Sequence, residues 1–326
     1  MIPPSSIVLA PLAGGPSTPE LAAAVSDAGG LGFLAAGYLA PDAFAERLRR
    51  TRALTSEQIG VNLFVLENGG VDDDAIAAYA RELEPEARAR GVELGRPRFD
   101  DDWLDEKLEV IVRANVEVVS TTFGCLAAET VARLQQSGTR VWATVTAAHE
   151  ARAARDAGVD ALVVQGAEAG GHRGAWRDEG EPTPLLELLA SIDVGLPLVA
   201  TGGIADRDGV AAALAAGAQA AQVGTAFLLC PEAGTSEPQR RALRNGGKTA
   251  FTRAFTGRSA RGIVNRFMVE HQSAPSAYPH IHHLTVPLRT AARAAGDADG
   301  INLWAGVNFA RAEELPAAEI VAKLGA

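Results

Sequence analysis

The segment QGAEAGGHRG, residues 165–174, places His172 among glycines directly after a short apolar run. Glycine at such a bend lets the backbone approach a bound group closely. A histidine in that position can hydrogen-bond a substrate or take a proton from carbon. Because a single loop histidine is more often structural, the chemistry of His172 depends on which groups surround it.

Two other loops have the composition of an anion-binding site. PLVATGGIADRDG puts Gly202 and Gly203 after an apolar run, and AAQVGTAF puts Gly224 and Thr225 after the next one. Backbone N–H groups in such turns, together with a helix N-terminus, bind phosphate. No G-x-G-x-x-G follows a strand and opens a helix, so the pattern favours a mononucleotide-type cofactor over a dinucleotide.

Three amide side chains lie at the carboxyl ends of apolar runs: Asn62, Gln165 and Gln222. A buried amide has to be hydrogen-bonded, either to a loop or to a ligand. Three amides at one level suit a flat heterocycle with alternating donors and acceptors, such as an isoalloxazine ring. The stretch APLAGG, with Ala13 and Gly14, would bring backbone close to the same centre.

The elements that must position these groups are short strands alternating with alanine-rich helices. Eight apolar runs are predicted strands, at residues 6–10, 31–36, 59–65, 116–120, 140–145, 161–165, 197–201 and 220–224. Strands that are apolar on both faces are typical of parallel sheets covered by helices. The number of strands and the chain length favour a (β/α)₈ TIM barrel, with a doubly wound open sheet as the alternative.

Residues 1–225 and 287–326 are predicted to form this α/β barrel, and residues 226–286 a helical insertion after the eighth strand. The insertion contains two predicted helical pieces, RRALRNGG and GRSARGIVNRFMVEH, and then a loop rich in Pro, His and Tyr. Long segments after barrel strands lie over the active face, so we expect a lid or a small helical subdomain there.

Composition excludes several classes of function. The formal net charge of −10 and the lack of a Lys/Arg-rich run argue against nucleic-acid binding. No apolar run reaches the ~20 residues of a membrane span. Two cysteines cannot build a disulfide framework, and a reduced cytoplasmic location without a signal peptide is expected.

Three histidines close together, His280, His282 and His283, match no zinc spacing. We therefore predict no metal site and interpret them as part of a polar loop near the substrate mouth. Arg258, Arg261 and Arg266 could bind an anionic substrate tail, but they are interpreted as ordinary surface arginines.

Taken together, these motifs resemble the nitronate monooxygenase family, formerly called 2-nitropropane dioxygenases. The resemblance runs in the family's order over nearly the whole chain, through PLAGGPSTPELAAAVSDAGGLGFLAAGYL, GVNLF, TTFG, VVQGAEAGGHRG, ATGGIADRDGVAAALAAGAQAAQVGTAFL, FTGRSARGI and NLWAG. It implies an FMN-dependent barrel that oxidises alkyl nitronates such as propionate 3-nitronate, with O₂, to carbonyl compounds and nitrite. We expect a monomer or a homodimer.

The resemblance also implies roles for individual residues. His172 would be the active-site base for neutral nitroalkanes, and Ala13 and Gly14 would pass beside the flavin ring. The remaining FMN contacts would be Asn62, Gln165, Gly170, Gly171, Gly202, Gly203, Gln222, Val223, Gly224 and Thr225, with Gly202, Gly224 and Thr225 nearest the phosphate. Where family members often have Trp-Ala-Gly-Gln, this chain has WAGVN with Val307, which leaves the substrate less defined.

Other functions are compatible with the same residues. A flavin-dependent enoyl-acyl-carrier-protein reductase shares the E-A-G-G-H element and the barrel but uses NAD(P)H, and an NAD(P)H:quinone reductase is a close variant. A phosphate-ligand-binding barrel without redox chemistry is a third alternative.

Overall fold

The barrel consists of eight parallel strands, as predicted. The computed structural model describes residues 5–325, so residues 1–4 and 326 of the predicted barrel unit lie outside the described residues. The barrel strands are β1 (Ile7–Leu9), β2 (Gly32–Ala35), β3 (Ile59–Phe64), β4 (Val118–Thr122), β5 (Arg140–Val145), β6 (Ala161–Gln165), β8 (Leu198–Thr201) and β9 (Ala220–Val223), and β7 is the short strand Gly171–His172.

The sheet is closed, which excludes the open-sheet alternative. Its strand order is β1-β9-β8-β6-β5-β4-β3-β2, and a parallel bridge between Val8 and Leu31 joins the two ends. Each strand is buried on both faces because alternate residues enter different cores. In β1, Ile7 and Leu9 pack with the outer helices, whereas Val8 joins the barrel interior with Phe33 and others.

The barrel interior is tightly filled at its base. The rings of Phe33 and Trp142 lie with centroids 5.8 Å apart. A Cβ on Gly60 of β3 would come within 2.3 Å of the Phe33 ring. Glycine is therefore the residue that this strand position admits.

Helices surround the barrel and continue after it. They are α1 (Pro19–Asp27), α2 (Pro41–Leu54), α3 (Asp73–Arg90), α4 (Leu104–Ala114), α5 (Ala128–Gln136), α6 (Ala148–Asp156), α7 (Leu185–Ser191), α8 (Arg207–Ala215), α9 (Glu237–Asn245), α10 (Arg266–Glu270), α11 (His280–Ala294) and α12 (Ala317–Leu324). Thr18, Asp72 and Asp206 cap α1, α3 and α8 by accepting a backbone N–H of the first turn. Within residues 5–325, no helix combines the length and apolar character of a transmembrane span.

The segment after the eighth barrel strand differs from the predicted secondary structure. GRSARGIVNRFMVEH is not one helical piece, because it contains a strand, β11 (Ala260–Ile263), before the short α10. Strand β11 lies between β10 (Thr249–Thr252) and β7 in an antiparallel sheet, with Ala260 opposite His172. The segment is thereby tied to the loop that carries the histidine.

The predicted Pro/His/Tyr-rich loop is wrong from residue 280 onward, although residues 272–279 do form a loop. Pro279 is the N-cap of α11, and the three histidines lie in the first turns of this helix. Helix α11 is stabilised by packing on α3, where Ile281, Leu284 and Leu288 join one apolar cluster with Tyr79. The boundary predicted at residue 286 falls inside α11, and the extent of the insertion remains a prediction.

Candidate active site

One large cavity opens at the carboxyl ends of the barrel strands. Its volume is about 610 Å³, within the range of small-molecule and cofactor sites. Every residue predicted to take part in the site lines it: Ala13, Gly14, Asn62, Gln165, Gly170, Gly171, His172, Gly202, Gly203, Gln222, Val223, Gly224 and Thr225. Parallel strands all end at the same face, so residues far apart in sequence meet there.

The loops after β8 and β9 form a candidate anion cradle. Gly202 and Gly203 have φ angles of +128° and +70°, which favour glycine. The N–H groups of Gly202, Gly203 and Gly224 donate to no other group within residues 5–325. Because Asp206 caps the helix that follows, these free donors lie beside a helix N-terminus and suit a phosphate.

Asn62 and Gln222 keep polar atoms free for a ligand. Asn62 donates to Ser120 Oγ at 2.9 Å and to Thr122 Oγ1 at 3.0 Å, so its Oδ1 remains an acceptor. Gln222 is 5% exposed and makes no side-chain hydrogen bond to the described residues, which leaves its whole amide for a ligand. These two groups fit the polar edge of a flat ring.

Gln165 holds the histidine loop. Its Oε1 accepts the Gly174 N–H at 2.6 Å, and its Nε2 donates to the His172 carbonyl oxygen at 3.2 Å. Both polar atoms of the amide therefore fix the turn that presents the imidazole. A contact from Gln165 to the cofactor remains a prediction.

The His172 imidazole is neutral and anchored at one nitrogen. Its Nε2 lies 2.9 Å from Thr256 Oγ1, and the Thr256 hydroxyl donates to the Arg258 carbonyl oxygen at 3.3 Å. Burial, and then the positive charges of Arg258 and Arg289, lower the pKa of His172 to about 3. With the Thr256 proton directed to the carbonyl, Nε2–H is the donor and Nδ1 carries the free lone pair.

Aromatic rings enclose the imidazole. Phe123, Tyr278 and Trp304 have centroids 5.7, 5.6 and 5.6 Å from that of His172. The Tyr38 ring stacks on His282 at 4.2 Å, and its hydroxyl lies 3.3 Å from that of Tyr278. Such a wall excludes water from the reacting atoms.

Sequence reasoning missed most of this wall. Phe123, Tyr278 and Trp304 stand inside or beside the motifs TTFG, YPHIHHL and NLWAG, which were a usable signal. Tyr38 also stands in a quoted motif, the one that ends in AAGYL. Arg289 had no such signal, because its helix meets the cavity only in the folded chain.

Other predicted features lie elsewhere or act differently. The three histidines do not share a site, since His283 Nε2 pairs with Asp100 at 2.6 Å while His282 faces the cavity. Val307 is 40% exposed and does not line the cavity. The surface interpretation is wrong for Arg258, which is 8% exposed and lies over the Phe123 ring at 4.1 Å.

Comparison with known proteins gives a consistent result. The family model described as nitronate monooxygenase matches residues 1–326. A nitronate monooxygenase from Pseudomonas aeruginosa is 40% identical, with 98% of this chain and 94% of the relative covered. One from Paraburkholderia phytofirmans is 39% identical, with 98% and 90% covered.

Solved structures agree. The nitroalkane oxidase from Streptomyces ansochromogenes is 49% identical, with a TM-score of 0.96 over 99% of this chain and 95% of the other. FabK from Thermotoga maritima is more distant, at 26% identity and a TM-score of 0.76 over 98% and 91%. The closed barrel, the glycine loops at the strand ends and the half-buried histidine accompany a match over the full length, and the chain therefore belongs to the nitronate monooxygenase family.

Proposed function

We propose that this flavin-dependent oxidoreductase binds FMN and oxidises alkyl nitronates with O₂ to carbonyl compounds and nitrite. Propionate 3-nitronate is the proposed model substrate, and neutral nitroalkanes are slower ones. The observation that carries the proposal is that one cavity is lined both by free backbone N–H donors and by a neutral, half-buried His172. The nitroalkane oxidase of similar structure supports it.

The cavity residues fit FMN in two places. The free N–H groups of Gly202, Gly203 and Gly224 would hold the phosphate. The amides of Asn62 and Gln222 would meet the polar edge of the ring. When bound, FMN supplies the electron acceptance that the reaction needs.

His172 has different work with the two kinds of substrate. A neutral nitroalkane must lose an α-proton, and Nδ1 of the neutral His172 imidazole would accept it. A nitronate is already an anion, so His172 would only orient it. The aromatic wall of Phe123, Tyr278 and Trp304 keeps water away from either one.

An anaerobic visible spectrum of the purified protein tests the proposal. Propionate 3-nitronate should remove the oxidised flavin absorption without any added NAD(P)H. Flavin bands that ignore the nitronate but bleach with NADH or NADPH would contradict the proposal and support a reductase. A colourless protein that takes up no added FMN would contradict flavin binding itself.

We also infer a cytoplasmic location and a monomer or homodimer. Cys125 and Cys230 are both free thiols, which suits a reducing compartment. Analytical ultracentrifugation of the flavin-bound protein would determine the oligomeric state.

A further inference from the structure

Arg289 of α11 is a buried cation in the wall of the cavity. It is 8% exposed and lines the same space as His172. Its Nε donates to Thr285 Oγ1 at 3.1 Å, and its Nη2 donates to the His282 carbonyl oxygen at 3.0 Å. Both partners lie on the same helix, so the guanidinium is held in place before any ligand arrives.

No carboxylate of the described chain neutralises this charge. Within residues 5–325, no Asp or Glu oxygen lies within 4.0 Å of the Arg289 guanidinium. The groups that act on it electrostatically are the phenols of Tyr38 and Tyr278 and the cation of Arg293. A buried arginine is ordinarily paired, because an isolated charge is costly to bury.

One donor of Arg289 is left over. Its Nη1 donates to no group among the described residues and is not sealed from the cavity. The cation is also on the histidine side of the cavity. His282, which touches Arg289, neighbours Tyr278, and Tyr278 neighbours His172 with ring centroids 5.6 Å apart. The cradle for the flavin phosphate has separate donors of its own at Gly202, Gly203 and Gly224.

We propose that Arg289 binds the carboxylate of a nitronate that carries a second anionic group. The enzyme would then be selective for carboxylated nitronates over simple alkyl nitronates. This inference rests on the proposed function. Because Nε bonds to Thr285 and Nη2 to His282, Nη1 would donate the charge-assisted hydrogen bond to the carboxylate.

Turnover of two substrates that differ by the carboxylate tests the role of Arg289. For Arg289→Gln, kcat/KM for propionate 3-nitronate should fall about 10- to 100-fold, the range for losing a charged hydrogen bond. For ethyl nitronate it should fall less than about 3-fold by the same reasoning. Arg289→Lys should keep part of the preference, because it retains the charge but not the guanidinium geometry that Thr285 and His282 fix.

Arg240→Gln is the matched control. Arg240 donates to the carbonyl oxygens of Leu229, Cys230 and Ala233 and does not line the cavity, so its loss should leave the ratio of the two substrates unchanged. Equal losses on both nitronates in Arg289→Gln would overturn the proposal, because the cation would then serve the shared nitronate group. Unchanged kcat/KM values for both nitronates in Arg289→Gln would overturn it as well.

Equilibrium binding provides a test that does not need catalysis. A carboxylate is a planar isostere of a nitronate, so succinate imitates propionate 3-nitronate and propionate imitates ethyl nitronate. Calorimetry on the flavin-bound protein should show tighter binding of succinate than of propionate, and Arg289→Gln should abolish the difference. Equal affinities in the unsubstituted protein would overturn the proposal.

These two assays separate the two levels of inference. If the protein oxidised no nitronate and yet bound succinate through Arg289, the proposed function would fail while the carboxylate site stood. If it oxidised both nitronates with a ratio that Arg289 does not control, the function would stand and the inference would fail.

Discussion

Lys107 should be the most sensitive charged position in the fold. Its side chain is fully buried, and its Nζ lies 2.7 Å from Asp102 Oδ2. The Asp102 side chain is 6% exposed. Asp102 Oδ1 also accepts the backbone N–H of Tyr38 at 2.9 Å, which links the pair to the cavity wall. Lys107→Met would leave the carboxylate buried and unpaired, at a cost of about 3–5 kcal/mol in the free energy of unfolding.

The loss of unfolding free energy in Lys107→Met should depend on pH. Burial raises the pKa of Asp102 from 3.8 to about 6, although Lys107 acts to lower it. Without Lys107 the pKa of Asp102 in the folded protein would rise further. A carboxyl with a higher pKa in the folded state binds more protons there, so folding loses stability as pH rises between the unfolded and folded values. The deficit of Lys107→Met should therefore be larger at pH 8 than at pH 5.

Urea unfolding followed by tryptophan fluorescence at both pH values measures this deficit. Lys323→Met is the control, because Lys323 forms a half-exposed pair with Glu313 and its loss should cost less than about 1 kcal/mol. The double variant Asp102→Asn, Lys107→Met should recover most of the stability, since it removes both charges and keeps an acceptor for Tyr38. If Lys107→Met and Lys323→Met unfolded at the same urea concentration at both pH values, the reasoning would be refuted.

Three further results are expected. His172→Ala should reduce kcat/KM for nitroethane far more than for ethyl nitronate, and equal losses on the two substrates would contradict the division of roles. Because the pKa of His172 is about 3, the unsubstituted enzyme should lose no nitroethane activity through His172 protonation down to about pH 5. Gly203→Ala should weaken FMN binding about 10-fold by fluorescence titration, from a strain of roughly 1–2 kcal/mol at φ +70°, whereas Gly217→Ala, with φ +99° at the far end of α8, should not. Gly60→Ala should lower the thermal midpoint by several degrees, since its Cβ would overlap the Phe33 ring, and an unchanged midpoint would show that the ring has room to move.

Local sequence was sufficient for the barrel. The eight strands were predicted within about two residues, because each is a short apolar run that ends in a polar or glycine-rich turn. Because parallel strands end on one face, the sequence alone could place the glycine loops at 202–203 and 224–225 beside the His172 loop. This topology explains why all the predicted site residues line one cavity.

The segment after the barrel could not be read in the same way. The strand β11 lies in a sequence with helical character and is a strand because it pairs with β10 and β7. Its β7 partner lies about 90 residues earlier in the chain, and no local pattern encodes that pairing. The first turns of α11 likewise form on α3, where Ile281 and Leu284 are buried.

The sequence by itself therefore determined the barrel, the glycine loops at its strand ends and the position of His172, because these follow from strand periodicity and from the residues at strand ends. Only the tertiary structure decided what surrounds the histidine. Tyr38 and Arg289 come from elements about 250 residues apart in the chain and meet at His282. The absence, within residues 5–325, of a carboxylate beside Arg289 is a property of three-dimensional packing, since it depends on which charges the fold brings near and which it keeps away.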